Sequence, residues 1–210
     1  MNSKRSLVRR TVAVATAGAA AVVLAACGGN DDSATSGHDG HTTKSPSASA
    51  SASQGQHNAA DVTFAQGMIP HHRQAVEMAD LASTRAESAQ VKALADDIKK
   101  AQDPEIKTLS GWLTSWGEDV PAEDAMDHSM HGDSGGMMTM EDMDKLEKSS
   151  GKAFDTAFLE MMIKHHEGAV TMAKSEQTDG AYGPAKKMAD AIVTSQTAEI
   201  TQMNTLLDKN

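Results

Sequence analysis

The chain has 210 residues, with 19 basic and 29 acidic side chains, a formal net charge of −10, 14 Met and a single Cys. The acidic balance argues against a nucleic-acid partner. One Cys excludes an intrachain disulfide and any multi-thiolate metal site, so metal ligands must come from His, Met, carboxylates or the backbone.

Residues 1–26 place Lys4, Arg5, Arg9 and Arg10 ahead of an apolar, Ala-rich run. That order marks an export signal, and the run is short for a membrane span. It closes on Leu24-Ala25-Ala26-Cys27, which resembles the lipobox of bacterial lipoproteins. The resemblance implies a lipid on Cys27 and anchoring to the outer face of the bacterial cell membrane. Arg9-Arg10 leaves general secretory and twin-arginine export both open. Residues 27–58, from the lipidated Cys onward, are rich in Ser, Gly, Ala and Asp and are expected to form a disordered tether. His38, His41 and His57 fall in it, as solvated residues or weak auxiliary metal ligands.

Residues 59–210 are enough for one domain, and a shift of 94 residues exposes a duplication within it. Asp61, Phe64, Met68, Ile69, His71, His72, Ala75, Val76, Met78 and Ala79 recur as Asp155, Phe158, Met162, Ile163, His165, His166, Ala169, Val170, Met172 and Ala173. The register continues without a gap through Gln102/Gln196, Glu105/Glu199 and Leu113/Leu207. The domain therefore divides into repeat one (61–117), a linker (118–150) and repeat two (151–208).

Each repeat reads as two helices. Phe64, Met68, His71, His72, Ala75, Met78 and Ala79 recur at spacings of three and four, the face of an α-helix. Pro70 either starts that helix near Ile69 or kinks one begun at Asp61. The next helix runs from Val91 to about Trp116, with Pro104 as the site of a bend or a break. In the second repeat Lys164 replaces Pro70, predicting an unbroken helix from about Lys152 to Ser175. The fourth helix runs from Met188 through Leu207. Neither hairpin can bury its apolar stripe alone, which predicts an all-α, antiparallel four-helix bundle built from two duplicated hairpins.

Consecutive residues on a helix point about 100 degrees apart, so His71 and His72 are not expected both to point straight inward. Met68 lies one turn before them, as Met162 lies one turn before His165 and His166. Imidazole suits copper and zinc, whereas a thioether selects soft copper(I) or silver(I). The competing reading is that the histidines are hydrogen-bonded residues at the core edge and the methionines core filler. Gln102, Glu105, Gln196 and Glu199 fall on or beside the apolar faces of the second and fourth helices. A carboxylate there is expected to accept a His ring N–H and so orient the ring.

The linker places Met126, His128, Met130, His131, Met137 and Met138 close together among glycines. This composition suits auxiliary soft-metal binding, with packing over the bundle as the alternative. Thr139 is positioned to cap a short helix with Asp142 three residues on.

Both His-His segments, FAQGMIPHHRQAVEMA and FDTAFLEMMIKHHEGAVTMA, together with QDPEI and QTAEI, resemble the bacterial domain-of-unknown-function family numbered 305. The resemblance implies a ferritin-like bundle, export, and a link to copper in some members. Its characteristic positions map to Met68, His71, His72, Met78, Met162, His165, His166 and Met172. The Glu-x-x-His pairs of ferritin enzymes are missing, which argues against a di-iron oxidase. Three functions are carried forward. The first is a surface-anchored copper-binding lipoprotein, copper(I) favoured with silver or zinc as alternatives, serving buffering, resistance or handover. The second is a non-catalytic structural or interaction module, and the third a copper-dependent oxidase. The protein partner, whether a metallochaperone or a second copy of the chain, is left open.

Overall fold

A computed structural model describes residues 55–122 and 135–209. The export signal, Cys27, most of the tether, and Met126, His128, Met130 and His131 lie outside the described residues. Among the described residues five helices are formed: α1 Ala59–Arg85, α2 Ala89–Trp116, α3 Met140–Lys148, α4 Gly151–Asp179 and α5 Gly183–Leu207. None of the described helices is long and apolar enough to cross a membrane.

The four long helices are the two predicted hairpins. Helix α1 passes through Pro70 and α2 through Pro104 without a break, so neither proline starts or ends a helix. Asn58 opens α1 with a capping box, its Oδ1 accepting from the Ala60 and Asp61 amides while its own amide donates to Asp61. Thr139 and Asp142 form the expected box at the start of α3. Helix α4 extends beyond its expected ends at both termini.

Helices α1 and α4 pack together at the centre, with α2 on α1 and α5 on α4. The inner pair is antiparallel: Asn58, before α1, donates from Nδ2 to the Asp179 carbonyl at the end of α4, while Ala86, after α1, pairs with Gly151 at the start of α4.

The duplicated aspartates explain how the hairpins lock. Asp155 accepts from the amides of Glu87 and Ser88, at 3.1 and 2.8 Å, in the α1–α2 turn. Asp61 does the same for Ala181 and Tyr182, at 3.2 and 2.9 Å, in the α4–α5 turn. Each repeat thus ties down the turn of the other, through charge-assisted bonds worth about 1.5–3 kcal/mol each.

Only one latch carries a second acid. Glu176 is buried against Asp61, whereas the matching position in repeat one is Ala82. Burial pushes the Glu176 carboxyl up to about 8, and the hydrogen bond to Asp61 and the charge of Asp61 add to this. Burial alone would raise Asp61 as well, but hydrogen bonds from Glu176 and from the Asn58, Tyr182 and Ala181 amides outweigh it and lower the group. No donor from the described residues reaches either Glu176 oxygen. Of the two acids Glu176 is the one that keeps its proton at neutral pH, and can offer it to Asp61.

The core is split in two. One apolar cluster gathers Ala75, Met78, Val91, Leu94, Ile98, Phe154, Phe158, Met162 and Met203. The other gathers Phe64, Met68, Ile69, Leu109, Leu113, Ala169, Ala189 and Ile192. On every long helix the same few residues separate the two: His71-His72, Gln102 to Glu105, His165-His166, and Gln196 to Glu199. A polar layer crosses the bundle at mid-height.

Candidate functional site

Each histidine pair lies near the middle of an inner helix, where a helical backbone satisfies its own hydrogen bonds and leaves the side chains to face neighbouring helices. The two members of each pair point to different neighbours, as expected for adjacent residues, yet both are buried. The reason is that an inner helix has core on two sides. His71 faces α4 and His72 faces α2.

The two inner histidines meet. The His71 and His165 rings lie with centroids 3.8 Å apart and planes inclined by 44°. The outer two are each held by a carboxylate: His72 Nε2 donates to Glu105 Oε2 at 2.7 Å, and His166 Nε2 donates to Glu199 Oε2 at 2.6 Å. Because a carboxylate only accepts, a hydrogen sits on Nε2, and in its neutral form such a ring carries its lone pair on Nδ1.

His71 is fixed in the same tautomer by the linker. Its Nε2 donates to the Gly135 carbonyl at 3.1 Å. His165 differs. Neither ring nitrogen has a hydrogen-bond partner among the described residues.

Burial drives His71 down to about 3, with the charge of His72 acting in the same direction and the Gly135 carbonyl opposing. Burial also holds His165 well below its ordinary value, reinforced by His71, His166 and His72, with the His71 backbone opposing least. Both inner rings are neutral at pH 7. Five imidazole nitrogens in one layer, Nδ1 of all four histidines and Nε2 of His165, are buried without a hydrogen-bond partner among the described residues. The Oε1 atoms of Gln102 and Gln196 are in the same condition.

The predicted methionines separate into two groups. Met68 and Met162 are fully buried one turn from the histidines, one in each apolar cluster. Met78 and Met172 lie two turns away, a rise of about 10 Å. Met78 packs among apolar residues, and Met172 lies over Gly67 and lines a cavity of about 440 Å³ with Phe64, Ser175 and Glu176. Of the linker residues, Met137 and Met138 are described, and Met138 is buried. Among the described residues, no three His, Cys, Asp or Glu side chains converge as a ready-made metal cage.

Several contributors were not legible as such. Asp61 and Asp155 were visible as a repeated pair, but nothing in their spacing said that each serves the other hairpin. Gln74 grips the linker backbone, donating to the Met138 carbonyl at 2.9 Å and accepting from the Met138 amide at 2.7 Å. Its counterpart 94 residues on is Gly168, and that break in the repeat was the available signal.

A duplicated, antiparallel helical bundle with a layer of four histidines at mid-height is an all-α fold of ferritin-like type. The chain belongs to the family of the domain of unknown function DUF305, whose model matches residues 61–207. Among solved structures it is similar to a secreted member of that family from Streptomyces coelicolor, with 35% identity over 71% of this chain and 93% of that one, at a TM-score of 0.64. It is equally similar to CopM in its Cu(II)-bound form, with 35% identity, 71% and 96% coverage and a TM-score of 0.63. The Cu(I)-bound form of CopM matches with 34% identity, the same coverage and a TM-score of 0.60. No curated protein matches the chain.

Proposed function

We propose that this protein is an exported, lipid-anchored metal-binding protein that captures copper, with copper(I) favoured, for buffering or handover rather than for catalysis. One observation carries the reading: five imidazole nitrogens buried at one level of the bundle with no partner among the described residues. Leaving a buried polar group unsatisfied costs about 1–3 kcal/mol, and leucines in the same layer would stabilise the fold instead. Buried orphans of this kind call for a ligand. Neutral imidazole is a good donor for copper and zinc, and the thioethers of Met68 and Met162 one turn away bias the set toward soft monovalent ions.

The chain's own residues act in three ways. His71 and His165 present lone pairs at the centre of the layer, Glu105 and Glu199 hold the outer rings with Nδ1 free of hydrogen, and the two apolar clusters above and below exclude water. Bound copper supplies strong coordination to nitrogen and sulfur without needing a thiol. Similarity to CopM, solved with copper and silver, supports the metal class. Similarity to a secreted family member supports an extracytoplasmic location, with Cys27 as the lipid attachment point. Met126, His128, Met130, His131, Met137 and Met138 form an auxiliary donor set in the linker.

A purely structural role accounts for His72 with Glu105 and His166 with Glu199, but not for His165. The discriminating experiment is a thermal shift of the mature chain with copper(I), copper(II), silver(I) and zinc. A ligand held at 100 times its Kd raises native stability by about 2.7 kcal/mol. Replacing His71, His72, His165 and His166 together should abolish the shift. An equal shift in wild type and variant would sink the histidine-layer site.

A further inference from the structure

The two repeats are joined by one linker, and one linker cannot be symmetric. Residues 135–139 lie between α1 and α4 against the histidine layer, and the two helices have diverged at matching positions to receive them. On α1, Gln74 holds Met138 by both its amide and its carbonyl, and both residues are buried. On α4, Gly168 makes room. A Cβ there would overlap the Gly135 carbonyl, and one on Gly136 would fall 3.1 Å from the Gly168 Cα. Gly135 and Gly136 take φ of 59° and 86°, a left-handed pair that brings the chain flat against α4.

The consequence reaches the histidines. The Gly135 carbonyl takes the Nε2–H of His71 at 3.1 Å, while His165, its twin, has neither nitrogen partnered among the described residues. The two rings are otherwise equivalent, so the linker makes them unequal.

We infer that residues 135–139 are a strap, seated by Gln74 and Gly168, that holds the Nε2–H of His71 and so fixes its Nδ1 lone pair in the layer, making His71 the preorganised donor for a soft monovalent cation and His165 the one that adjusts. This rests on the metal reading above and adds how one of its donors is positioned. Gln74 is a positioning residue: it touches no metal donor, and acts through the Met138 backbone. A ring whose other nitrogen is held by a carbonyl keeps one tautomer and one orientation, and losing such a partner weakens a metal site by about 10–100-fold. Loosening the strap should therefore weaken uptake.

The test uses Gln74→Leu and Gly168→Ala in the mature chain, with silver(I) as the probe. In metal-free protein, the His71 Nε2–H signal, bonded to a carbonyl in wild type, should shift toward that of an unbonded ring in both variants. Silver affinity, from a competition titration, should fall by at least about tenfold. In wild type, saturating silver should shift the His71 Nδ1 signal and leave the Nε2–H in place. Displacement of the strap with an unchanged silver affinity would overturn the proposal, as would an unshifted His71 signal in the variants. Where a variant does not fold, amide exchange at Met138 in wild type decides: silver saturation should slow it, and unchanged or faster exchange overturns the strap. A wild type that binds no silver would instead defeat the metal reading itself, and the strap with it.

Discussion

His71 and His165, 94 residues apart in the chain, bring their imidazole rings to a centroid separation of 3.8 Å at the centre of the bundle. Two buried neutral rings in contact, one of them with neither nitrogen partnered among the described residues, stabilise the metal-free fold poorly. His165→Leu is therefore expected to raise metal-free stability by about 1–3 kcal/mol, while removing most of the silver-induced thermal shift. Urea denaturation with and without silver measures both. A variant that is destabilised without metal would show that His165 is a packing residue whose polar atoms are satisfied in solution.

Glu105 and Glu199 make a matched pair of predictions. Each carboxylate fixes the ring of a histidine on the neighbouring helix, at 2.7 and 2.6 Å. Removing such a partner typically weakens a metal site by about 10–100-fold. Glu105→Ala and Glu199→Ala should each do so in a competition titration with a copper(I) chelator, and to a similar extent, because the two halves share their geometry. An affinity unchanged in both variants would confine these carboxylates to holding the bundle together.

The fold was largely legible because the signal was local and doubled. Helical periodicity appears twice at a constant offset, and two hairpins have few ways to bury their stripes. The helix-capping pair Thr139 and Asp142 was readable for the same reason, since a capping box is a pattern of neighbours. The prolines left the continuity of two helices open. A breaker in mid-helix costs about 3 kcal/mol, yet Pro70 and Pro104 are carried through because packing over 27 and 28 residues holds their helices together. At the site, the sequence showed which residues share a face but not what each faces. That His71 and His72 are both buried depends on α1 being an inner helix. That His165 differs from His71 depends on where the linker lies, which no spacing encodes.

The aspartate latches predict a stability effect far from the histidines. Asp155→Ala leaves the Glu87 and Ser88 amides of the α1–α2 turn without their acceptor. A cost of about 2–3 kcal/mol is expected from urea denaturation, with metal affinity little changed. An effect below about 0.5 kcal/mol, the usual range for surface substitutions, would mean that water replaces the carboxylate freely in that turn.

The other latch should make stability depend on pH, with a sign set by Glu176. Its carboxyl is raised from 4.5 to about 8 in the folded chain, first by burial and then by Asp61. Below about 4.5 the folded and unfolded chains both hold this proton, and its contribution to stability is fully present. As pH rises toward 8 the unfolded chain releases the proton and the folded chain keeps it, so stability falls through this window. Above it, ionised Glu176 faces Asp61 and the nearby Asp179, with Lys186 the cation that opposes them. Asp61, lowered from 3.8, acts in the opposite sense, its contribution being lost only under stronger acid. Glu176→Gln keeps the shape, donates to Asp61 at every pH, and should flatten the decline. Melting temperatures of wild type and variant should be similar near pH 5 and diverge by several degrees near pH 9, with the variant higher, as expected for a difference of about 1–2 kcal/mol. Parallel profiles across that range would show that the proton on Glu176 is not what holds the pair.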